Sequence, residues 1–401
     1  MVQKDISKFF KDYLNKKSLF IDKKSLQSNY TPETIPHRDE QIEQLAGILA
    51  PSLRMQKPSN VFVYGKTGSG KTCVSQYVIN QINKVSEEKN LNIKTYYLNC
   101  KLKKVADTEY RLIAQLSRGF GVEVPATGLP TDEVYKIFIK TIDSKKQIII
   151  LILDEIDQLV NKMGDGILYN LTRLNPELKN CEVCIVGISN DLMFTDNLDP
   201  RVRSSLGEEE LVFPPYNALQ LQDILKQRAL LAFKKGVIEE GVIEKCAAYA
   251  AREHGDARRA LELLRVAGEL AERGSLDKIK IEHIDFAEEK IEKDRVIDIL
   301  KIQPKQIQVV LYSILNICSG NKRVFTGDVY ELYVRCCLDV GLKHLTQRRV
   351  SDIVAELDML GIINAKVVSK GRYGRTREIK LAISSSTLSK VNEMLKEGLG
   401  L

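Results

Sequence analysis

Six apolar residues in succession, Ile148-Ile149-Ile150-Leu151-Ile152-Leu153, end directly in the carboxylates of Asp154 and Glu155. An unbroken β-branched run of this kind suits a central parallel strand, whose two faces are both covered by helices. Shorter apolar runs at 61–64, 93–98 and 183–188 predict further strands. Helical spacing lies between them: residues 40–49 put Ile42, Leu45, Ala46 and Leu49 on one face, and another helix is predicted over 72–85. Beyond Phe213-Pro214-Pro215-Tyr216 the strand signal stops, and helical periodicity governs the chain to about Arg295. Past Pro304, helices are predicted over 305–319, 326–340 and 346–360, followed by strand-like runs at 362–369 and 376–383. The pattern predicts α/β plus α: a parallel-sheet domain over 25–216, a helical lid over 217–297 and a last domain over 298–401.

Composition adds bounds to this layout. A chain of 401 residues suits two or three domains, and 44% apolar with 28% charged residues is too rich in core formers for disorder. No apolar run is long enough to cross a bilayer, so no membrane partner is expected. Residues 1–24 hold seven lysines against three aspartates and lack the apolar core of a signal peptide. They are expected to form a basic N-terminal arm, and the expected location is cytoplasmic, with the nucleoid. Of eight cysteines, Cys181 and Cys184 have metal-like spacing, but they open a strand-like run with no second Cys or His pair nearby, which argues against zinc. The net charge of +7 is modest, yet residues 303–382 hold thirteen Lys/Arg against seven Asp/Glu, so a polyanion is expected there.

The apolar run at 61–64 empties into Gly65-Lys66-Thr67-Gly68-Ser69-Gly70-Lys71-Thr72, which satisfies G-x-x-x-x-G-K-[ST]. Glycines let successive backbone N–H groups wrap a phosphate, and the helix that follows turns its dipole toward the anion. Lys71 is expected on the β- and γ-phosphates and the Thr72 hydroxyl on Mg²⁺. Asp154 and Glu155 emerge at the edge where open parallel sheets bind ligands, so Asp154 is expected to hold Mg²⁺ through water and Glu155 to polarise the attacking water. Asn190, after the run at 183–188, falls at the same edge, where its amide can sense a γ-phosphate. Cys73, Tyr216 and Arg228 complete the candidate ATP/ADP contacts. In the lid, Asp256 is a natural N-cap, which puts Arg258 and Arg259 in a first helical turn against the dipole. A phosphate facing that turn removes the conflict.

Three helices and a hairpin are winged-helix order. The third helix buries Val350, Ile353, Val354, Leu357 and Leu360 behind a Thr346 cap and turns a polar first turn outward, with Gln347, Arg348 and Arg349 as candidate major-groove contacts. Between Lys366 and Lys380 lie six basic residues and one acid. Arg372, Arg375 and Arg377 there suit phosphates or a minor groove, and Tyr373 suits a sugar or base.

With these motifs the chain resembles the archaeal replication-initiator proteins, relatives of the eukaryotic origin-recognition and helicase-loading subunits. The likeness rests on the P-loop, Leu153-Asp154-Glu155-Ile156-Asp157, Gly187-Ile188-Ser189-Asn190-Asp191, Asp199-Pro200-Arg201-Val202-Arg203-Ser204-Ser205-Leu206, Phe213-Pro214-Pro215-Tyr216 and Gly255-Asp256-Ala257-Arg258-Arg259-Ala260-Leu261. It implies an AAA+ ATPase domain with its lid and a C-terminal winged helix. Asn190 is then the first sensor, Arg258 the second, and Arg201 the arginine finger, with Arg203 as the alternative. It also implies a DNA-contacting helix within 106–128, which contains Arg118. The implied activity is slow, switch-like ATP hydrolysis in a protein that binds double-stranded origin DNA, helps to load the replicative helicase and works beside paralogous initiator subunits. The rival readings are an ATP-regulated transcription factor and a clamp-loader-like remodelling ATPase.

Overall fold

The run before Asp154 lies inside a five-stranded parallel sheet in which the strands at 93–99, 147–154, 181–189, 60–65 and 208–213 lie side by side in that order. After α1 (Asp39–Leu49) the chain alternates β1 (Asn60–Gly65), α2 (Lys71–Glu88), β2 (Ile93–Asn99), α3 (Glu109–Gly119), α4 (Thr131–Ile142), β3 (Gln147–Asp154), α5 (Ile156–Met163), α6 (Gly166–Thr172), β4 (Cys181–Ser189), α7 (Pro200–Leu206) and β5 (Glu208–Phe213). This computed structural model describes residues 18–27, 30–101, 107–125, 127–206, 208–318, 324–369, 375–383 and 385–401, with backbone alone for Ser205, Leu206, Glu208, Ser369, Arg375, Ser385 and Ser386. The chain divides into two units, Met1–Ile284 and Asp285–Leu401.

Every residue of β3 is buried. Ile149, Leu151 and Leu153 enter one core, with Leu112, Ile113 and Phe138 of the covering helices. Ile148, Ile150 and Ile152 enter the other, with Leu45 of α1 and Val74 and Val78 of α2. The two-residue alternation of a strand therefore feeds two helix layers. It also separates Cys181 from Cys184, which lie in opposite cores. Three residues apart on a strand, their thiols cannot converge on one ion, and among the described residues no group of three or more His, Cys, Asp or Glu is placed to hold a metal.

The lid follows as α8 (Ala218–Ala232), α9 (Val242–Arg252) and α10 (Ala257–Arg273). Asn217 caps α8 reciprocally with Gln220. Asp256 caps α10, its side chain accepting from the Arg258 and Arg259 amides. Phe20, from the segment ahead of α1, packs on Phe233 with ring centroids 4.6 Å apart.

The boundary between units falls within α11 (Ile281–Lys301). The second unit continues with α12 (Lys305–Cys318), β6 (Val324–Phe325), α13 (Thr326–Asp339), α14 (Gln347–Met359), β7 (Ile363–Ser369), β8 (Arg375–Leu381) and α15 (Ser385–Leu399). β6, β8 and β7 form an antiparallel sheet in that order, with Ile363 opposite Leu381 and Ser369 opposite Arg375. The hairpin tip, with Arg372 and Tyr373, lies outside the described residues. Thr346 caps α14 through its hydroxyl. Beyond the expected three helices and hairpin, the unit adds the short strand β6 and α15, whose Val391, Leu395 and Leu399 enter its core.

Candidate nucleotide site and basic face

At the end of β1 the loop takes left-handed backbone at Gly68 (φ 70°) and Gly70 (φ 94°), and Gly70 precedes α2 as its cap residue. A Cβ on Gly68 would overlap the Asp256 carboxylate, so the turn accepts only glycine and sits directly under the lid. The Ala257 amide donates to the Gly68 carbonyl at 3.2 Å, tying α10 to the loop.

Lys71 is 5% exposed. Its ammonium donates to the carbonyls of Gly65 (2.6 Å) and Lys66 (2.9 Å) and to Asn190 Oδ1 (2.9 Å). Burial holds its pKa down at about 8, with the Asp154 carboxylate opposing part of that shift. Thr72 Oγ1 donates to Asp154 Oδ2 at 2.9 Å, and the Tyr97 hydroxyl donates to the same oxygen at 2.7 Å. The Glu155 amide donates to Asp154 Oδ1 at 2.9 Å. Burial, then the hydrogen bond to Asp154, pushes the Tyr97 phenol upward, so it stays a donor. The Thr72 hydroxyl and the Asp154 carboxylate form an all-oxygen set that fits a hard cation such as Mg²⁺.

Glu155 has left-handed backbone (φ 55°), and its carboxylate lies 3.3 Å from the Lys101 ammonium. Asn190 is held through its backbone N–H, which donates to Asp157 Oδ1 at 3.4 Å beside the Ser189 hydroxyl, which donates to the same oxygen at 3.3 Å. Thr67, Gly68, Gly70, Lys71, Thr72, Cys73, Asp154, Glu155, Asn190, Tyr216, Arg228 and Arg258 all border one cavity of about 780 Å³. Burial, largest among its causes, raises the Cys73 thiol. The main-chain oxygens of the remaining loop residues Gly65, Lys66 and Ser69 face Lys71 and Arg38.

Two further arginines lie beside the loop, Arg228 on the wall of the cavity and Arg38 against the Ser69 carbonyl. The Arg38 guanidinium, 2% exposed, donates to the Ser69 carbonyl (2.9 Å) and the Pro214 carbonyl (2.5 Å) and lies 3.9 Å over the Tyr216 ring. The sequence does not single out Arg38, although its place just ahead of a P-loop strand is a signal. Arg228, 8% exposed, lies over the Tyr30 ring at 4.4 Å, and one terminal nitrogen has no hydrogen-bond partner among the described residues.

Arg201 and Arg203 do not border the cavity. The Arg201 side chain is 87% exposed and lies 3.4 Å from Asp199, and Arg203 lies 3.0 Å from Asp196. In the second unit Gln347, Arg348 and Arg349 are exposed on the first turn of α14, with Arg349 3.3 Å from Glu356. Arg377 is half-buried and donates to the Ser351 carbonyl at 2.7 Å, which fastens β8 to α14. Arg118, at the exposed end of α3, donates to the Val124 carbonyl at 3.1 Å.

Comparison with known proteins matches 54–192 to an AAA domain, 222–289 to the Cdc6 AAA+ ATPase-type lid domain, and 298–391 to the CDC6 C-terminal winged-helix domain. The chain is 53% identical over 385 residues to ORC1-type DNA replication protein 1 of Methanosarcina acetivorans, covering 95% of this chain and 92% of that one. It is 54% identical over 384 residues to the ORC1-type DNA replication protein of Thermococcus onnurineus, at 94% and 92% coverage. Among solved structures, that of the Aeropyrum pernix ORC1 protein in complex with DNA superposes with a TM-score of 0.83 at 45% identity, covering 94% of this chain and 97% of that one.

Proposed function

Because the chain belongs to the ORC1-type DNA replication protein family, with its AAA domain, Cdc6-type lid and winged helix, we propose that it is an ATP-dependent initiator that binds duplex origin DNA and helps to recruit or load the replicative helicase. The observation that supports this most directly is the convergence of Lys71, Asp154 and Asn190 from the sheet edge and Arg258 from the lid on one cavity.

In this reading the loop amides and Lys71 hold the phosphates of ATP or ADP, and Thr72 with Asp154 holds Mg²⁺, which offsets the phosphate charge. Glu155 takes the proton of the attacking water. Asn190 and Arg258 meet the γ-phosphate, so lid position depends on whether that phosphate is present. Arg258 has no acidic partner among the described residues, as a phosphate-seeking arginine requires. Arg201, exposed and away from its own cavity, acts on the nucleotide of a neighbouring paralogous subunit. Hydrolysis is slow and serves as a switch. Gln347, Arg348 and Arg349 read the major groove, Arg372, Tyr373, Arg375 and Arg377 follow the backbone or minor groove, and Arg118 adds a contact from the sheet domain.

Footprinting the full chain on genomic DNA with and without ATP tests this. Protection in one or a few clusters at replication starts, altered by ATP, is expected. Protection scattered over many promoters would sink the initiator reading in favour of an ATP-regulated transcription factor.

A further inference from the structure

Tyr97 stands opposite Ile152 in the β2–β3 ladder, two residues short of Asp154. Its hydroxyl and that of Thr72 share Asp154 Oδ2, while the Glu155 amide takes Oδ1. A carboxylate offers about four lone-pair sites. Three donors therefore fix its plane and leave Oδ1 with the remaining acceptor site. Thr72 and Glu155 alone would leave the arrangement dependent on a hydroxyl that must also serve the metal. Tyr97 is the added constraint, a ring with two rotatable bonds anchored on a strand.

We propose that Tyr97 is a positioning residue for Asp154, holding the carboxylate in the one orientation that accepts Mg²⁺ with the nucleotide. This rests on the nucleotide site proposed above. Groups that orient a metal's ligands typically set metal affinity by about ten- to a hundredfold. If Asp154 holds the ion through water, as the sequence leads one to expect, its orientation would count for the lower end of that range.

The test is Tyr97→Phe in the full chain, with fluorescent ADP titrated by anisotropy over a series of free Mg²⁺ concentrations and in EDTA. Tyr97 is 39% exposed and the change removes one oxygen without touching the backbone ladder, so the fold tolerates it. Affinity in EDTA should stay within about twofold of the parent, while the Mg²⁺ concentration for half-maximal tightening rises about tenfold. An unchanged Mg²⁺ midpoint would overturn the proposal. So would an equal loss of affinity in EDTA, which would make Tyr97 a contact of the nucleotide itself. If the parent chain bound no nucleotide under any of these conditions, the nucleotide site would fall and this role with it, an outcome distinct from the other two.

Discussion

The proposed nucleotide cavity and the first turn of α14 both carry cations, but they are built in opposite ways. Lys71 and Asp154 are each 5% exposed and are locked to one another's neighbours through Asn190, Thr72 and Tyr97. Gln347, Arg348 and Arg349 stand in solvent, with Arg349 in long ion pairs along its own helix. In the dry site, removing one member leaves a buried group without its partner, so single substitutions have large and specific effects. On the wet face each charge contributes a screened and roughly independent share.

The largest effect that this contrast implies lies at Lys71. Lys71→Ala removes the buried cation from the cradle and should abolish ATP and ADP binding in a filter or anisotropy assay. Glu155→Gln keeps the shape of the side chain and the left-handed backbone, so nucleotide affinity should hold while turnover falls about 100-fold or more. Turnover at the parent rate in Glu155→Gln would remove Glu155 from the role of base.

Next comes the wet face. Arg348→Ala with Arg349→Ala should weaken duplex binding at low salt and lower the slope of log affinity against log salt by about one for each phosphate no longer neutralised. Nucleotide affinity should not change. A slope equal to the parent's would make this turn an ordinary solvated surface and would erase the contrast between the two regions.

A smaller effect separates the regions by pH. Burial disfavours the Lys71 ammonium and lowers its pKa in the fold from the ordinary 10.5 to about 8. Between those values the unfolded chain binds a proton that the fold does not, so stability contributed by this residue rises with pH across the window. Lys71→Met should flatten that rise in thermal unfolding, and ADP, which favours the ammonium, should flatten it in the parent. A Lys71→Met chain with the parent's slope would show that the pKa of Lys71 is not lowered in the fold.

What was legible in the sequence was local. The β3 run, the P-loop spacing, the Asp256 and Thr346 caps and the amphipathic face of α14 each declare themselves within a dozen residues, and all appear in the fold. β5 did not, because Glu208-Glu209-Glu210 disguises an edge strand whose apolar members, Leu211 and Phe213, matter only once it pairs with β1. Arg38 and Tyr97 escape a sequence reading for a related reason. Tyr97 sits unmarked in its strand and reaches Asp154 only because β2 pairs with β3, while Arg38, whose place ahead of the P-loop strand is its one signal, meets Ser69 and Pro214 only because β1 and β5 lie side by side.

The smallest expected effect lies at the boundary between the two kinds of region, in the ion pair of Lys101 with Glu155. The lysine side chain is 69% exposed and the glutamate 20%, so the pair is half wet. Such pairs contribute at most about 1 kcal/mol. While it forms, the pair holds the Glu155 carboxylate against Lys101, and the carboxylate must leave that partner to meet the attacking water. Lys101→Ala should therefore raise basal ATP turnover at low salt by no more than about fivefold, the factor that about 1 kcal/mol allows. The gain should vanish at high salt, where the parent's own pair is screened. A buried interaction would keep its effect at every salt concentration, so persistence of the gain would move Lys101 into the dry class with Lys71. An unchanged rate at low salt would mean that the left-handed backbone alone aims Glu155.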